Sequence, residues 1–419
     1  MLVRRDTVTT RESVEEVLIS GDSASFSSLR AEVIGCRKLV GGCWAVRSCQ
    51  GCSELTKLCE EVEALAKVLN LARCPVPESF EVGFYSGRVS LGSSVDVVSL
   101  AKPLVELCGE YSISGYDISA ILRVRKLLRE IRGETSGEAV EEREVVEVSV
   151  GVRYGVERVS YGSSDYVLLA GVEKDVERVL ENLLRLARNR ARARGRARRL
   201  GITEIGKAEV ILIREASPAL FHEVSHLLQG DLGTSLLGRR VFEHEKIYVC
   251  DSPGDVAKPS VRFFDDEGVA TRRRWLIEGG VVVDLHHTIK TAYEARSSPG
   301  SAHGLFHRPR PFHTSLVVGG GDWREEELVE ETKKGFVVDG IAAAFLEEGV
   351  VRIVPQAAYR VEKGEVKEPV VIRAVKVPLT RPIRVLGLGR GEYLRFSYED
   401  FAFTTEAAPP LKIEAYVEV

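Results

Sequence analysis

Histidine is missing from the first 221 residues of this 419-residue chain, and all eight copies fall between positions 222 and 313. Any imidazole chemistry therefore belongs to the C-terminal half. Methionine occurs only at position 1, and asparagine and glutamine three times each, while Glu, Arg and Val are abundant. That balance is expected of a thermophile. No apolar run reaches the roughly 18 residues of a membrane-spanning helix. The stretch Met1–Thr10 has two arginines but neither an apolar core nor a small-residue cleavage site, so the expected compartment is the cytoplasm. The chain also lacks surplus positive charge: with a net charge of −4 and a pI near 6.2, nothing calls for a nucleic acid or an anionic membrane as partner. Cysteine is unevenly placed, with seven of eight copies between Cys36 and Cys108. Cys49 and Cys52 form one C-x-x-C, but no second pair stands at the spacing of a zinc ribbon. Buried thiols or the disulfides of a hyperthermophile's cytosol are expected instead.

What is present is a globular chain, 44% hydrophobic and 29% charged, long enough for two or three domains. The expected class is α+β: an N-terminal domain of sheet plus helices over residues 1–200, then a β-rich C-terminal domain over 201–419. Alternation and Gly turns predict strands at 15–19, 29–34 and 42–46, followed by an amphipathic helix over 53–72. Residues 75–115 read as short strands and turns. Ile118, Ile121, Leu122, Leu127, Leu128 and Ile131 predict a second amphipathic helix over 117–132. Strands are expected at 144–154 and 166–172, then a long helix over 172–200. Eight arginines crowd Arg185 to Arg199 without interleaved aromatics, the pattern of a solvated, ion-paired face rather than a nucleic-acid reader. After a linker at 201–207 comes a buried strand, 208–214. Beyond it strands are predicted at 242–250, 260–264, 274–278, 281–285, 335–345, 349–360, 370–378 and 390–397.

The chemistry concentrates in Ser217-Pro218-Ala219-Leu220-Phe221-His222-Glu223-Val224-Ser225-His226-Leu227-Leu228-Gln229-Gly230. Ser217 is read as the cap, Pro218 as the first helical residue and Gly230 as the exit of a helix about twelve residues long. Residues four apart stand almost above one another, so His222 and His226 can share one zinc ion while Glu223 reaches the water that such a metal activates. Two neutral imidazoles and a third ligand leave a position for water and lower its pKa. Glu223 is the expected general base, passing the proton on to a leaving amine. Asp265-Asp266-Glu267-Gly268 reads as a tight turn. His286 and His287, adjacent on a presumed strand, point to opposite faces and do not suit joint metal binding.

Several blocks in the C-terminal half resemble the TldD/PmbA family, whose TldD and TldE proteins are also described as modulators of DNA gyrase. They are Leu220-Phe221-His222-Glu223 through His226 with Gly230-Asp231; Asp265-Asp266-Glu267-Gly268 with Leu276-Ile277-Glu278-Gly279-Gly280; His307-x-Pro309-x-Pro311; and Ala358-Tyr359 with Glu362-Lys363-Gly364-Glu365-Val366 and Pro369-Val370. The resemblance implies a zinc metallopeptidase that cleaves unfolded or extended peptides inside a dimer, a metal-binding TldD commonly pairing with a TldE that lacks the metal motif. It implies His222 and His226 as zinc ligands, Glu223 as base and His307 as a substrate contact.

Two departures from the family pattern stand out. The family's helix usually reads H-E-x-x-x-H, one residue longer than here. Its third ligand is a cysteine in a Cys-Gly-Lys segment near the C-terminus, whereas Tyr398 to Glu406 contains no cysteine. The third ligand is left open among Asp400, Glu406, Cys250, His303, His307 and His313. An active peptidase, as a homodimer or with a TldE-like paralogue, leads the expectations. A catalytically weak partner subunit comes second, and a gyrase-linked or nucleic-acid role for the arginine-rich helix last.

Overall fold

The computed structural model describes residues 1–419 except 72–73, 93–94, 113–114, 135–136, 157–158, 171–174 and 400–401. About 21% of the chain is helix and 50% strand, an α+β protein. The chain opens on long ribbons: β1 (Val3–Ser20), β2 (Ser23–Val40) and β3 (Cys43–Gln50), then α1 (Leu55–Leu71), β4 (Gly87–Leu91), α2 (Val97–Tyr111), β5 (Tyr116–Gly133), β6 (Gly137–Val156), β7 (Val159–Ala170) and α3 (Val176–Arg196). These strands form one sheet in the order β3-β2-β1-β5-β6, with both β4 and β7 on β6. Helices α2 and α3 cover one part of it, packing Leu104, Leu180 and Leu184 on Leu122 and Val148. Helix α1 covers another, and the disulfides Cys36–Cys59 and Cys43–Cys74 bind α1 and the chain after it to β2 and β3. A third disulfide joins Cys49 and Cys52, so six of the eight cysteines are oxidised while Cys108 and Cys250 are buried thiols.

Three expectations fail here for physical reasons. Residues 117–132 are strand, not helix. Ile118, Ala120, Leu122 and Val124 point inward at a period of two, and full pairing with β1 and β6 overrides a pattern that also fits a helix. The stretch 75–115, read as strands and turns, contains α2. Its start is fixed by the Asp96 carboxylate accepting from Val98 N–H, and it tolerates Pro103 within it. The arginine run does lie on a helix, but its face is not wholly solvated: Arg190 is fully buried. The predicted ends at 171–172 lie outside the described residues.

Past β8 (Arg198–Arg199) and β9 (Gly206–Ile213), helix α4 (Ala216–Ser225) carries His222 and Glu223, and the turn that follows it carries His226. Two sheets follow. The first is built from β10 (Val249–Asp251), β11 (Arg274–Glu278), β12 (Val281–Val282) and β15 (Ser315–Val318), with α5 (Ile289–Ala295) and the pair β13 (Ala302–His303) and β14 (Arg310–Pro311) in the connections. After α6 (Glu325–Glu330) come β16 (Lys334–Glu347), β17 (Val350–Glu362), β18 (Glu365–Val371), β19 (Ala374–Pro378), β20 (Val385–Leu388), β21 (Tyr393–Glu399), β22 (Ala402–Ala408) and β23 (Leu411–Glu418). Strands β22 and β21 complete the first sheet, in the order β12-β11-β10-β15-β22-β21. The second runs β16-β9-β23-β19-β17, and β16 pairs with β17 to close the ring. Expected strands at 242–250 and 260–264 are mostly irregular, 281–285 is strand only over Val281–Val282, and 370–378 is interrupted between β18 and β19. Val210, Leu212, Leu220, Phe221, Ile353 and Ile413 belong to one core that joins the ring to α4.

Candidate metal centre

Helix α4 is short and wholly buried, which differs from a two-faced surface helix. The chain leaves β9 through Arg214, whose φ of 52° lies in the left-handed region, and enters the helix at once. Glu215, not Ser217, holds the cap position and makes no side-chain cap. Ser217 lies inside the helix, and its hydroxyl donates to the Pro409 carbonyl at 2.6 Å, tying α4 to the chain before β23. Pro218 follows within the first turn, two places later than expected. A 3-10 turn, His226–Leu228, continues the helix. The exit at Gly230 is sterically required: a Cβ there would stand 2.3 Å from the His287 ring. The Gly230 N–H donates to His286 O at 2.8 Å.

The i, i+4 spacing sets His222 and His226 side by side, ring centroids 5.1 Å apart and planes at 78°. His222 is 3% exposed and Glu223 5%. Ligand atoms of His222, Glu223 and His226 all lie within 4.8 Å of one another, as do those of His222, His313 and Glu406. Either group could hold a metal ion.

The second group is a hydrogen-bonded support for the first. Glu406, from the middle of β22, accepts from His222 Nδ1 at 2.9 Å, His313 Nε2 at 2.9 Å, Thr404 Oγ1 at 2.8 Å and Arg395 Nη1 at 3.0 Å. Burial pushes this carboxyl up, but His222 and Arg395 hold it well below the usual range, so it is ionised. Burial pushes His313 down to about 4, so its ring is neutral. With Nε2–H given to Glu406, His313 Nδ1 accepts from the Ser225 hydroxyl at 2.8 Å. His222 likewise gives its Nδ1 proton to Glu406 and turns Nε2 outward.

On that outward side stands Glu399, at the end of β21. Its Oε2 lies 3.2 Å from His222 Nε2 and its Oε1 3.8 Å from His226 Nε2. Burial lowers the pKa of His226. Burial also opposes charge on His222, yet Glu406 and Glu399 raise its pKa overall. Burial raises Glu223, against His222, Arg395 and a hydrogen bond from the Leu346 backbone. A carboxyl with a raised pKa beside two imidazoles suits taking up and giving back a proton.

The remaining sequence candidates are dispersed. His307 lies half-buried on the loop between β13 and β14, with Nδ1 3.0 Å from Arg308 O, and belongs to neither group. His303 is buried, with Nε2 3.4 Å from Thr314 Oγ1. Cys250 is a buried thiol in β10, its pKa raised by burial. Asp400 lies outside the described residues. His286 and His287 are not on a strand and are both buried. The Asp265–Gly268 turn is present, Asp265 accepting from the Glu267 and Val269 N–H groups at 2.9 Å. Glu399 escaped the sequence reading because the predicted strand ended at residue 397. Period-two alternation carried two residues further puts it on the face of Arg395 and Ser397.

Two cavities of about 610 Å³ each lie elsewhere. One is lined by Arg11, Arg30, Lys126 and Glu142, and the other by Ile121, Arg125, Tyr166, Tyr398 and Phe403. Neither has His222, Glu223 or His226 in its wall, so the donor set, not cavity size, identifies the site.

Residues 205–375 match the PmbA/TldA metallopeptidase C-terminal domain. The chain is 30% identical over 208 residues to a metalloprotease of Methanocaldococcus jannaschii, a match covering 46% of this chain and 45% of that one. It is 28% identical over 210 residues to the zinc metalloprotease TldD homolog of Saccharolobus solfataricus, with the same coverage. The matches thus span somewhat less than half the length of these relatives. The fold is similar to the crystal structure of TldE from Thermococcus kodakarensis, with a TM-score of 0.74 at 16% identity, over 99% of this chain and 96% of that one. Among the described residues no helix is long and apolar enough to cross a membrane.

Proposed function

The chain belongs to the PmbA/TldD family, and from that premise we propose that it is a zinc-dependent metallopeptidase acting on extended or unfolded peptides. The observation that carries this reading is the pair of imidazoles at 5.1 Å with the Nδ1 of His222 already bonded to a buried, ionised Glu406. That bond turns Nε2 to the side where a cation would bind, the arrangement in which a carboxylate behind a ligating imidazole raises its basicity. Zinc, when bound by His222 and His226, supplies Lewis acidity toward the peptide carbonyl and a nucleophilic water.

The chain's own residues do the rest. Glu223, next to His222 in sequence, would take the proton of the attacking water and return it to the leaving amine, tasks that a carboxyl whose pKa is raised by burial suits. The buried core around α4 keeps the two imidazoles fixed, because β16 and β22 both pack on the helix. Strand β21 is the edge of its sheet, and its backbone offers an extended peptide a strand to pair with. His307, on its half-buried loop, is retained as a substrate contact. We divide the chain into a scaffold over 1–200 and a site-bearing domain over 201–419. The working assembly is a homodimer or a pair with a TldE-like paralogue in the cytoplasm of a thermophile.

Glu223→Gln is expected to lower peptide hydrolysis by roughly 10²- to 10⁴-fold with zinc content unchanged. A second reading, an inactive partner subunit, draws on the absence of cysteine from Tyr398–Glu406. Purified protein that retains less than about a tenth of an equivalent of zinc after supplementation and cuts no peptide would overturn the peptidase reading and favour the partner subunit.

A further inference from the structure

We propose that Glu399 is the third metal ligand of this site, a carboxylate doing in this chain what the family pattern assigns to a cysteine. The proposal rests on the metallopeptidase reading in taking His222 and His226 as the first two ligands. Three observations carry it.

The first is that one carboxylate faces the same atom of both imidazoles. Glu399 Oε2 is 3.2 Å from His222 Nε2, and Oε1 is 3.8 Å from His226 Nε2. The second is the orientation of the His222 ring. Its Nδ1 faces Glu406 at 2.9 Å, so Nε2 is the nitrogen turned toward Glu399, and a divalent cation between that carboxylate and the two Nε2 atoms would be met by all three groups.

The third observation is that the rival donors are committed. Glu406 sits on the Nδ1 side of His222, where His313, Thr404 and the Arg395 guanidinium also bond to it, and a cation placed there would meet a fixed positive charge. His313 has one nitrogen on Glu406 and the other on Ser225. His303 turns Nε2 to Thr314 Oγ1 at 3.4 Å, and the buried Cys250 thiol has the Arg273 side chain as its partner. Glu399, with a side chain one-third exposed, stands beside the 28% exposed His226 side chain, the part of the site that reaches solvent.

The strand explains why this position can take the role. Arg395, Ser397 and Glu399 alternate onto one face of β21. Arg395 and Ser397 steady Glu406, and Glu399, two residues on, reaches the outer side of the same imidazole. One strand face thus supplies both the support behind His222 and the ligand in front of it. The resulting donor set of two imidazoles and one carboxylate is harder than one with a thiolate, suits zinc or cobalt, and has no sulfur to oxidise.

The test uses the full-length metal-free protein titrated with zinc against a competing chelator, and with cobalt(II) followed by absorption. Glu399→Ala is expected to weaken zinc by more than roughly 100-fold, beyond the loss typical of an outer hydrogen-bonding partner. Its circular dichroism and apo-protein melting should match the parent. Glu399→Cys is expected to restore tight binding and to add a sulfur-to-cobalt charge-transfer band absent from the parent. Such a band requires residue 399 to touch the metal. If the parent binds zinc but Glu399→Ala binds it equally well and Glu399→Cys shows no such band, the assignment is overturned and the metallopeptidase reading stands. If the parent binds neither metal, both are overturned.

Discussion

At the scale of single residues, Glu406 and His222 decide what the site can hold. Glu406 is 1% exposed and collects donors from His222, His313, Thr404 and Arg395, so its charge is fully compensated by neighbours rather than by water. A buried ionised carboxylate of this kind is costly unless it has a task, and the task here is to fix which nitrogen of His222 carries the proton. Glu406→Gln keeps the volume but removes the charge, and its amide would present a donor toward at least one donor. Zinc affinity of this variant, measured by chelator competition, is expected to fall by roughly 10- to 100-fold. Equal affinity in parent and variant would mean that the bond to Nδ1 does not orient the ring.

At the scale of elements, α3 is where charge and burial collide. Leu180, Leu183, Leu184, Ala187 and Ala191 form its inner face, and Arg190 lies on that face at 0% exposure. Its guanidinium bonds to Asp165 of β7 at 3.0 Å, Glu215 before α4 at 2.6 Å and Asp339 of β16 at 2.7 Å. Gly340, with φ 67°, gives it room, since a Cβ there would stand 2.5 Å from the guanidinium carbon. Arg190 therefore joins the N-terminal sheet, the approach to α4 and the closed ring. Arg190→Leu strands three carboxylates in the interior and is expected to cost roughly 3–5 kcal/mol in denaturant unfolding. Arg192→Ala, on the exposed side of the same helix, is expected to change stability by no more than roughly 0.5 kcal/mol. Similar small effects for both would mean that the buried cluster contributes nothing specific.

At the scale of the whole molecule, a buried charge network holds the N-terminal sheet to the C-terminal half. Arg129 of β5 reaches Asp266 at 2.5 Å and Phe264 O at 2.6 Å, Arg37 of β2 donates to Asp266 O, and Trp44 of β3 donates to Glu267 at 2.9 Å. Asp265 and Asp266 in turn accept from Ala302 and Gly304, on either side of His303. Within this network burial and the neighbouring Asp265 push Glu267 up to about 8, from an ordinary 4.5. Burial also pushes Asp165 up to about 7. A carboxyl with a raised folded pKa binds its proton more readily in the folded chain. Its contribution is complete below the unfolded value and is lost as pH climbs through the folded one. His286 and His303, lowered by burial, act in the opposite sense, but only below their ordinary 6.5. Between about pH 6.5 and 8 the carboxyls dominate, so the urea midpoint is expected to fall across that window, and less steeply in Glu267→Gln. A midpoint that rises there would contradict the protonated state of Glu267.

The sequence by itself determined what depends on near neighbours. His222, Glu223 and His226 lie together because a helix brings i and i+4 to one side, whatever surrounds it. The α+β class and the histidine-bearing half were legible for the same local reason. Only the tertiary structure decided what depends on distant pairing. Glu406 stands 184 positions from the imidazole that it orients, and the register of β21 on β22 puts Glu399 in front of that imidazole. Residues 117–132 satisfy the period of a helix as well as that of a strand, and two flanking strands made the choice. Arg190 is indistinguishable in sequence from the arginines around it, until three carboxylates from three elements close on it. Periodicity fixes which side chains share a face, but not which faces meet.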